Sequence, residues 1–163
     1  MSDMRPKKPM RESQVSMMEL VMPDHANVRG NIFGGRVMAL IDIAGAMAAL
    51  RHCRFPVVTA SVDRLDFRAP IRVGEFIMLH ANVNYCGRTS MEVGVRVVGE
   101  HPLTGEQRHT ATAFLTYVAL DEQGRPIEIP DVRPETEEEE LWHAQAKHRR
   151  ALRLAQRQTD TTP

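Results

Sequence analysis

One carboxylate stands out by its surroundings. Asp42 is the only charged residue between Val37 and Leu50, a run otherwise built from Val, Met, Ala, Leu, Ile and Gly. An ionised carboxylate in such a run needs a partner, reaches water, or does chemistry as a general base or nucleophile. The alternative role for Asp42 is structural, paired with an arginine or lying at an exposed edge. Seven residues earlier stands Gly34-Gly35. Glycine permits close backbone approach, and the first N–H groups of a helix are unsatisfied donors. Together they suit the polarisation of a carbonyl or the holding of an oxyanion, or form an ordinary tight loop entering a helix. Asn31, just before them, is either a turn residue or an amide that orients a water or a carbonyl.

The spacing adds an inference. Seven residues are almost two helical turns, which puts Gly35 and Asp42 on one side of the helix, about 10 Å apart along its axis. A carbonyl held at the helix start is then out of reach of Asp42 of the same chain. If both act on one carbon, they most simply come from two antiparallel copies of the helix related by a twofold. The expectation is a homodimer with two interfacial sites.

The elements that must position these residues follow from pattern. Residues 1–13 are polar and proline-containing and read as a flexible N-terminal arm. Residues 15–22 form a candidate first strand. The segment 23–35 is rich in Pro, Asp, Asn and Gly and reads as a loop. Residues 36–50 read as a helix, apolar nearly all round and therefore buried on most sides. Beyond Pro56 the period changes to two. Strands are expected over 57–67, 75–85, 91–97 and 108–120, with Ile77, Leu79, Ala81, Val83 and Tyr85 sharing a face. Short turns between consecutive strands read as an antiparallel meander. The domain, residues 14–130, is therefore of the α+β class, one helix packed on one sheet. Residues 131–163 form a charged helical tail. Thr136 and Glu139 have capping-box spacing, with acidic residues at its start and basic ones at its end. It reads as a peripheral or partner-facing helix with solvated charges.

Composition excludes several classes. The 163 residues carry 21 basic and 21 acidic side chains, which gives no electrostatic reason to bind nucleic acid. The longest nearly apolar run is too short to cross a membrane. The N-terminal MSDMRPKKPMRES lacks the apolar stretch of a secretory signal, so a reducing cytoplasm is the expected compartment. Cys53 and Cys86 are then free thiols. The seven histidines show no zinc-ligand spacing, and no metal is expected. No GxSxG elbow, P-loop or GxGxxG motif is present. The ten Met residues suit a flexible apolar ligand, or simply fill a core.

The run Pro23-Asp-His-Ala-Asn-Val-Arg-Gly-Asn-Ile-Phe-Gly-Gly35, with Met38 and Ile41-Asp42, resembles the opening of the hotdog-fold acyl-CoA thioesterases of the brain acyl-CoA hydrolase and bacterial broad-specificity type. VDRLDFRAPIRVGE (62–75), GRTSMEV (87–93) and ATAFLTYVALDEQGRP (111–126) continue that resemblance in order and spacing. It covers roughly residues 14–130. It implies a hotdog fold, a sheet wrapped around the long helix, and dimers that often assemble as trimers of dimers. It implies hydrolysis of acyl-CoA to fatty acid and CoA, with CoA part of the substrate and no separate cofactor. It assigns Asn31 and Asp42 as catalytic, from opposite hotdog units, and Gly34 and Gly35 to the thioester carbonyl. It points to Gly87, Arg88, Thr89 and Ser90, with Arg64 and Arg68, for the pantetheine and phosphates. The alternative is that the turn and the arginines are ordinary surface. The rival function is a non-catalytic acyl-CoA sensor. A hotdog dehydratase is disfavoured because no His lies between Asn27 and Ala49.

Overall fold

A computed structural model describes residues 4–160. Its seven strands and two helices run β1 (Lys7–Pro9), β2 (Val15–Leu20), α1 (Gly34–Cys53), β3 (Val57–Val62), β4 (Phe76–Cys86), β5 (Ser90–Glu100), β6 (Gln107–Ala119), β7 (Asp131–Arg133) and α2 (Glu137–Thr159). Five strands form one antiparallel sheet in the order β2-β4-β5-β6-β3. The expected four-strand meander is therefore a three-strand one. β3 skips past β4 and pairs with β6 at the far edge. Local pattern cannot report this, because the choice depends on a long-range pairing.

The sheet curls around α1, as expected of a hotdog. Alternation dictates which side chains meet the helix. Leu79, Val83, Val93, Val95, Ala113, Leu115 and Tyr117 are buried with Val37, Leu40, Ile41, Ala44 and Ala48 of α1. Gly45 is required for the close approach. A Cβ there would fall 2.5 Å from the Tyr117 hydroxyl. The helix ends at Arg54 in the left-handed conformation, two residues before Pro56.

Four expectations are corrected. First, α1, expected to be buried on most sides, leaves one side uncovered in the single chain. Met38, Asp42, Ile43 and Leu50 are exposed and lie on one side of the helix. Second, Tyr85 does not share the inner face. A bulge between Val83 and Tyr85 turns it outward, against His143 and Arg150 of α2. Third, the arm expected over 1–13 is folded from Lys7 onward. β1 pairs in parallel with β7, Met10 is fully buried, and Ser13 Oγ accepts from Val83 N. Residues 1–3 lie outside the described residues.

Fourth, the segment after 130 is not a solvated tail. β7 continues the fold, and α2 lies against the outer face of the sheet. Thr136 caps α2 as its spacing implied, accepting from Glu139 N at 3.1 Å. Further along, Arg149 and Arg153 bond Glu92 of β5, which is 2% exposed, at 2.7 and 3.0 Å. Burial of this carboxylate is tolerable only because both guanidinium groups meet it.

Candidate active site

The start of α1 is built by a stitched loop. Asn27 Oδ1 accepts from Arg29 N and Asn31 N, at 2.9 and 3.3 Å. Gly30, at φ +77°, supplies the left-handed step that this turn needs. The loop is pinned outward by Ile32 N donating to Ile71 O at 2.7 Å and by Val73 N donating to Gly30 O. A cavity of about 310 Å³ opens here, bounded by Asn27, Asn31, Gly34, Phe67, Arg68 and Thr110. The volume is at the lower end for a small-ligand pocket.

The groups around this cavity have unmet capacity. Phe33 caps the helix without a side-chain acceptor, and the N–H groups of Gly34 and Gly35 have no partner among the described residues. The two N–H groups and the positive end of the helix dipole suit a polarised carbonyl oxygen. Asn27 has its amide oxygen fixed by the loop, which leaves its NH₂ as the group on offer. Thr110 is 2% exposed, and its hydroxyl has no hydrogen-bond partner among the described residues. No carboxylate lines the cavity.

Asp42 lies elsewhere, on the exposed stripe of α1. It is not a paired structural carboxylate, because no arginine or lysine bridges it among the described residues. Thr59 Oγ1 of β3 donates to its Oδ1 at 2.7 Å. The Tyr117 hydroxyl of β6 donates to its backbone oxygen at 2.9 Å and to Oδ1 at 3.0 Å. Oδ1 is thus fixed by two hydroxyls and Oδ2 remains open. Burial first, then the adjoining Asp42 charge, raises the Tyr117 hydroxyl well above its ordinary value. It therefore stays protonated and keeps donating.

The other expected residues separate into groups. Arg68 lines the cavity with Asn31 and Gly34, and has no carboxylate partner among the described residues. Arg64 is 86% exposed and bonded to Asp66 at 3.0 Å. Arg88 is bonded to Glu128. The Gly87–Ser90 turn closes through Gly87 N to Ser90 O at 2.7 Å and does not border this cavity. Sequence reasoning missed Asn27, Thr59, Thr110 and Tyr117. Asn27 was in view, but only as one breaker in a loop of breakers. Among the described residues no three His, Cys, Asp or Glu side chains gather as a metal site. Among the described residues no helix is long and apolar enough to cross a membrane.

Comparison with known proteins agrees with this architecture. The thioesterase superfamily model matches residues 29–106. YkhA of Bacillus subtilis, an uncharacterized acyl-CoA thioester hydrolase, is 45% identical over 85% of this chain and 81% of its own. The chain spans 40% of the length of the rat cytosolic acyl coenzyme A thioester hydrolase, to which it is 36% identical. A solved apo-hexameric acyl-CoA thioesterase superposes with a TM-score of 0.91 at 40% identity, over 97% of this chain and 99% of that one. An acyl-CoA hydrolase from Staphylococcus aureus, solved with butyryl coenzyme A, coenzyme A and coenzyme A disulfide, superposes at 0.85 with 37% identity, over 94% and 96% of the two chains. Alanine variants of that protein at an aspartate, an asparagine and a threonine have also been solved. The chain thus belongs to the thioesterase superfamily and, within it, to the hotdog-fold acyl-CoA thioester hydrolases.

Proposed function

We propose that two copies of this chain pair through the open stripes of α1, so that Asp42 of each works at the helix start of the other. One observation carries this reading. The cavity with unmet N–H donors lacks a carboxylate, while the carboxylate held by two hydroxyls lies on an uncovered apolar face. Met38 and Ile43, each about half exposed, neighbour Asp42 on α1, four residues before it and one after. Large apolar side chains grouped in this way mark an interface. Three such dimers form the proposed assembly, a reading supported by the hexameric relative. The cytoplasm is the proposed compartment, in line with the cytosolic relative from rat.

In this arrangement the thioester oxygen sits against the Gly34 and Gly35 N–H groups, with the Asn27 amide as a further donor. The partner subunit's Asp42 takes a proton from water through Oδ2 as the water attacks the carbonyl carbon. The tetrahedral intermediate collapses, the C–S bond breaks, and CoA leaves as the thiolate. A thiol of ordinary pKa, about 8.5, leaves without a strong general acid. The products are the fatty acid and CoA, and Asp42 returns its proton to solvent or to the thiolate. Direct attack by Asp42 through a mixed anhydride uses the same geometry.

Asn27 is the preferred carboxamide, with Asn31 beside it on the cavity wall. In the Staphylococcus aureus protein the substituted asparagine and threonine flank the aspartate at fifteen residues before and seventeen after. Asn27, Asp42 and Thr59 have that spacing here. Arg68 is proposed to meet the CoA portion at the cavity rim, with the Gly87–Ser90 turn further along the ligand. The test is release of CoA thiol from acyl-CoA by the parent and by Asn27→Ala, Asn31→Ala and Asp42→Ala. The reading expects Asp42→Ala and Asn27→Ala to fold and to lose turnover by orders of magnitude. A folded Asp42→Ala protein with parental turnover would overturn it.

A further inference from the structure

β6 carries one residue more than the strand it pairs with. Val97 of β5 is opposite Ala111 and Val98 is opposite His109, so Thr110 has no register partner. Strict alternation would group Thr110 with Thr112, Phe114 and Thr116, away from Ala111, Ala113, Leu115 and Tyr117 of the core. The bulge breaks that alternation and re-aims the side chain. Thr110 is buried next to Ala111 and borders the cavity at the start of α1, with Gly34 and Val37. Its carbonyl accepts from Arg68 N at 2.8 Å, which ties the bulge to the segment that walls the cavity.

This cavity is graded from rim to floor. Asn27 and Arg68 are exposed and Asn31 is half-buried. Val37, Ile71 and Thr110 are 1, 0 and 2% exposed. The charged CoA portion of a substrate belongs at the wet rim, which leaves the floor to the acyl group. Val37 lies three residues, about 4.5 Å of helix, beyond Gly34. An oxygen on the third carbon of an acyl chain spans a comparable distance from the thioester oxygen. Val37 and Ile71 make the floor aliphatic, and Thr110 is the exception. Its Oγ1 is buried with no hydrogen-bond partner among the described residues. Rotation about its one χ1 bond exchanges hydroxyl and methyl, so either can meet the acyl chain.

An unsatisfied buried hydroxyl in a native fold calls for an explanation. A valine would have the same shape and leave nothing unpaired. We propose that Thr110 sets specificity for short acyl groups with a second oxygen on the third carbon, the 3-hydroxyacyl and 3-oxoacyl class. A hydroxyl donates and accepts, so it serves an alcohol or a ketone. An alkyl chain of the same length leaves it unpaired, and a site with a buried polar group rejects the analogue that lacks its partner. The inference rests on thioester hydrolysis at this cavity and names the acyl class favoured there.

The test is kcat/KM by thiol release from 3-hydroxybutyryl-CoA, acetoacetyl-CoA and butyryl-CoA, for the parent, Thr110→Val and Thr110→Ser. The parent is expected to favour at least one oxygenated ester over butyryl-CoA by about 5–100-fold. Thr110→Val loses that preference, with the oxygenated esters slowed and butyryl-CoA cleaved faster. Thr110→Ser keeps the hydroxyl and most of the preference. A merely structural role moves all three esters together. Equal changes in all three, or a parent with no preference for an oxygenated ester, would overturn the proposal and leave hydrolysis standing. A parent that releases no thiol, yet binds 3-hydroxybutyryl-CoA more tightly than butyryl-CoA by calorimetry and loses that difference in Thr110→Val, contradicts the hydrolysis and supports the role of the hydroxyl.

Discussion

α1 and α2 pack on opposite faces of one sheet and are held there by different forces. α1 buries Val37, Leu40, Ile41, Ala44 and Ala48 against the inner face, and its single carboxylate lies at the exposed edge of that contact, held by Thr59 and Tyr117. α2 buries little besides Ala146 and Glu139. It is fastened by Arg149 and Arg153 on Glu92, by Arg149 stacked 3.6 Å over the Phe114 ring, and by His143 on Asn84 O at 2.9 Å. Close apolar packing fixes a backbone firmly, and it is on the apolar helix that the proposed general base sits. On the other helix the contact is ionic and polar, and Arg150 adds to it by donating to the Tyr85 hydroxyl at 3.1 Å.

Substitution of Asp42 gives the largest effect expected on the α1 side. Asp42→Ala removes the base and should lower kcat by about 10²–10⁴-fold with an unchanged melting temperature. Thr59→Val and Tyr117→Phe each leave Oδ1 with one donor and should cost less than Asp42→Ala. Equal losses for all three would mean that the hydroxyls act in the reaction rather than as orienters.

On the α2 side the counterpart is Glu92→Gln. Arg149 then loses its carboxylate inside the contact. Breaking a buried pair costs about 3–5 kcal/mol, which for a chain of this size lowers Tm by roughly 10 °C. Differential scanning calorimetry measures it, and limited proteolysis should cut near α2 first. An unchanged Tm would show that α2 is held by its apolar contacts instead.

A third substitution separates packing from chemistry on α1. Leu50 is 41% exposed on the stripe and eight residues from Asp42. Leu50→Glu places a charge in the proposed interface without touching the reacting groups. Sedimentation should show smaller species, and activity should fall in proportion. A smaller species with full activity per chain would break the link between pairing and the site.

The smallest effect concerns the end of α1, where His52 is wholly buried. Its Nε2 lies 2.9 Å from Pro130 O and 3.3 Å from Cys86 Sγ. Burial lowers its pKa below the ordinary 6.5, against the smaller raising effect of the Pro130 carbonyl. Below pH 6.5 the unfolded chain takes up a proton that the folded chain refuses. The His52 contribution to stability is full above that pH and falls as pH drops, by at most about 1.4 kcal/mol per unit. Melts between pH 7.5 and 5.5 should show this slope, and His52→Leu should flatten it.

The parts of the fold that follow local rules were legible in the sequence. The alternation of β4, β5 and β6 reports one buried face, and the uninterrupted apolar run reports α1. The helix spacing alone separated Gly35 from Asp42. What could not be read depends on pairing at long range. Thr59 meets Asp42 only because β3 crosses to β6, and Tyr117 only because β6 packs over α1. Glu92 sits at an outward position of an alternating strand, where a carboxylate normally meets water. Its burial depends on a helix some fifty residues away in the chain. The bulge that turns Tyr85 outward has no signature in the alternation it interrupts.

The central claim is that each site takes its carboxylate from one chain and its donors from the other. Mixing two inactive variants tests it directly. Asn27→Ala and Asp42→Ala proteins, each purified, are combined under conditions that exchange subunits, and thiol release is followed. In a mixed dimer one site collects both defects and the other collects none. Random pairing should restore activity to about a quarter of the parent. A mixture no more active than the sum of its two components, with exchange verified, would contradict the shared site.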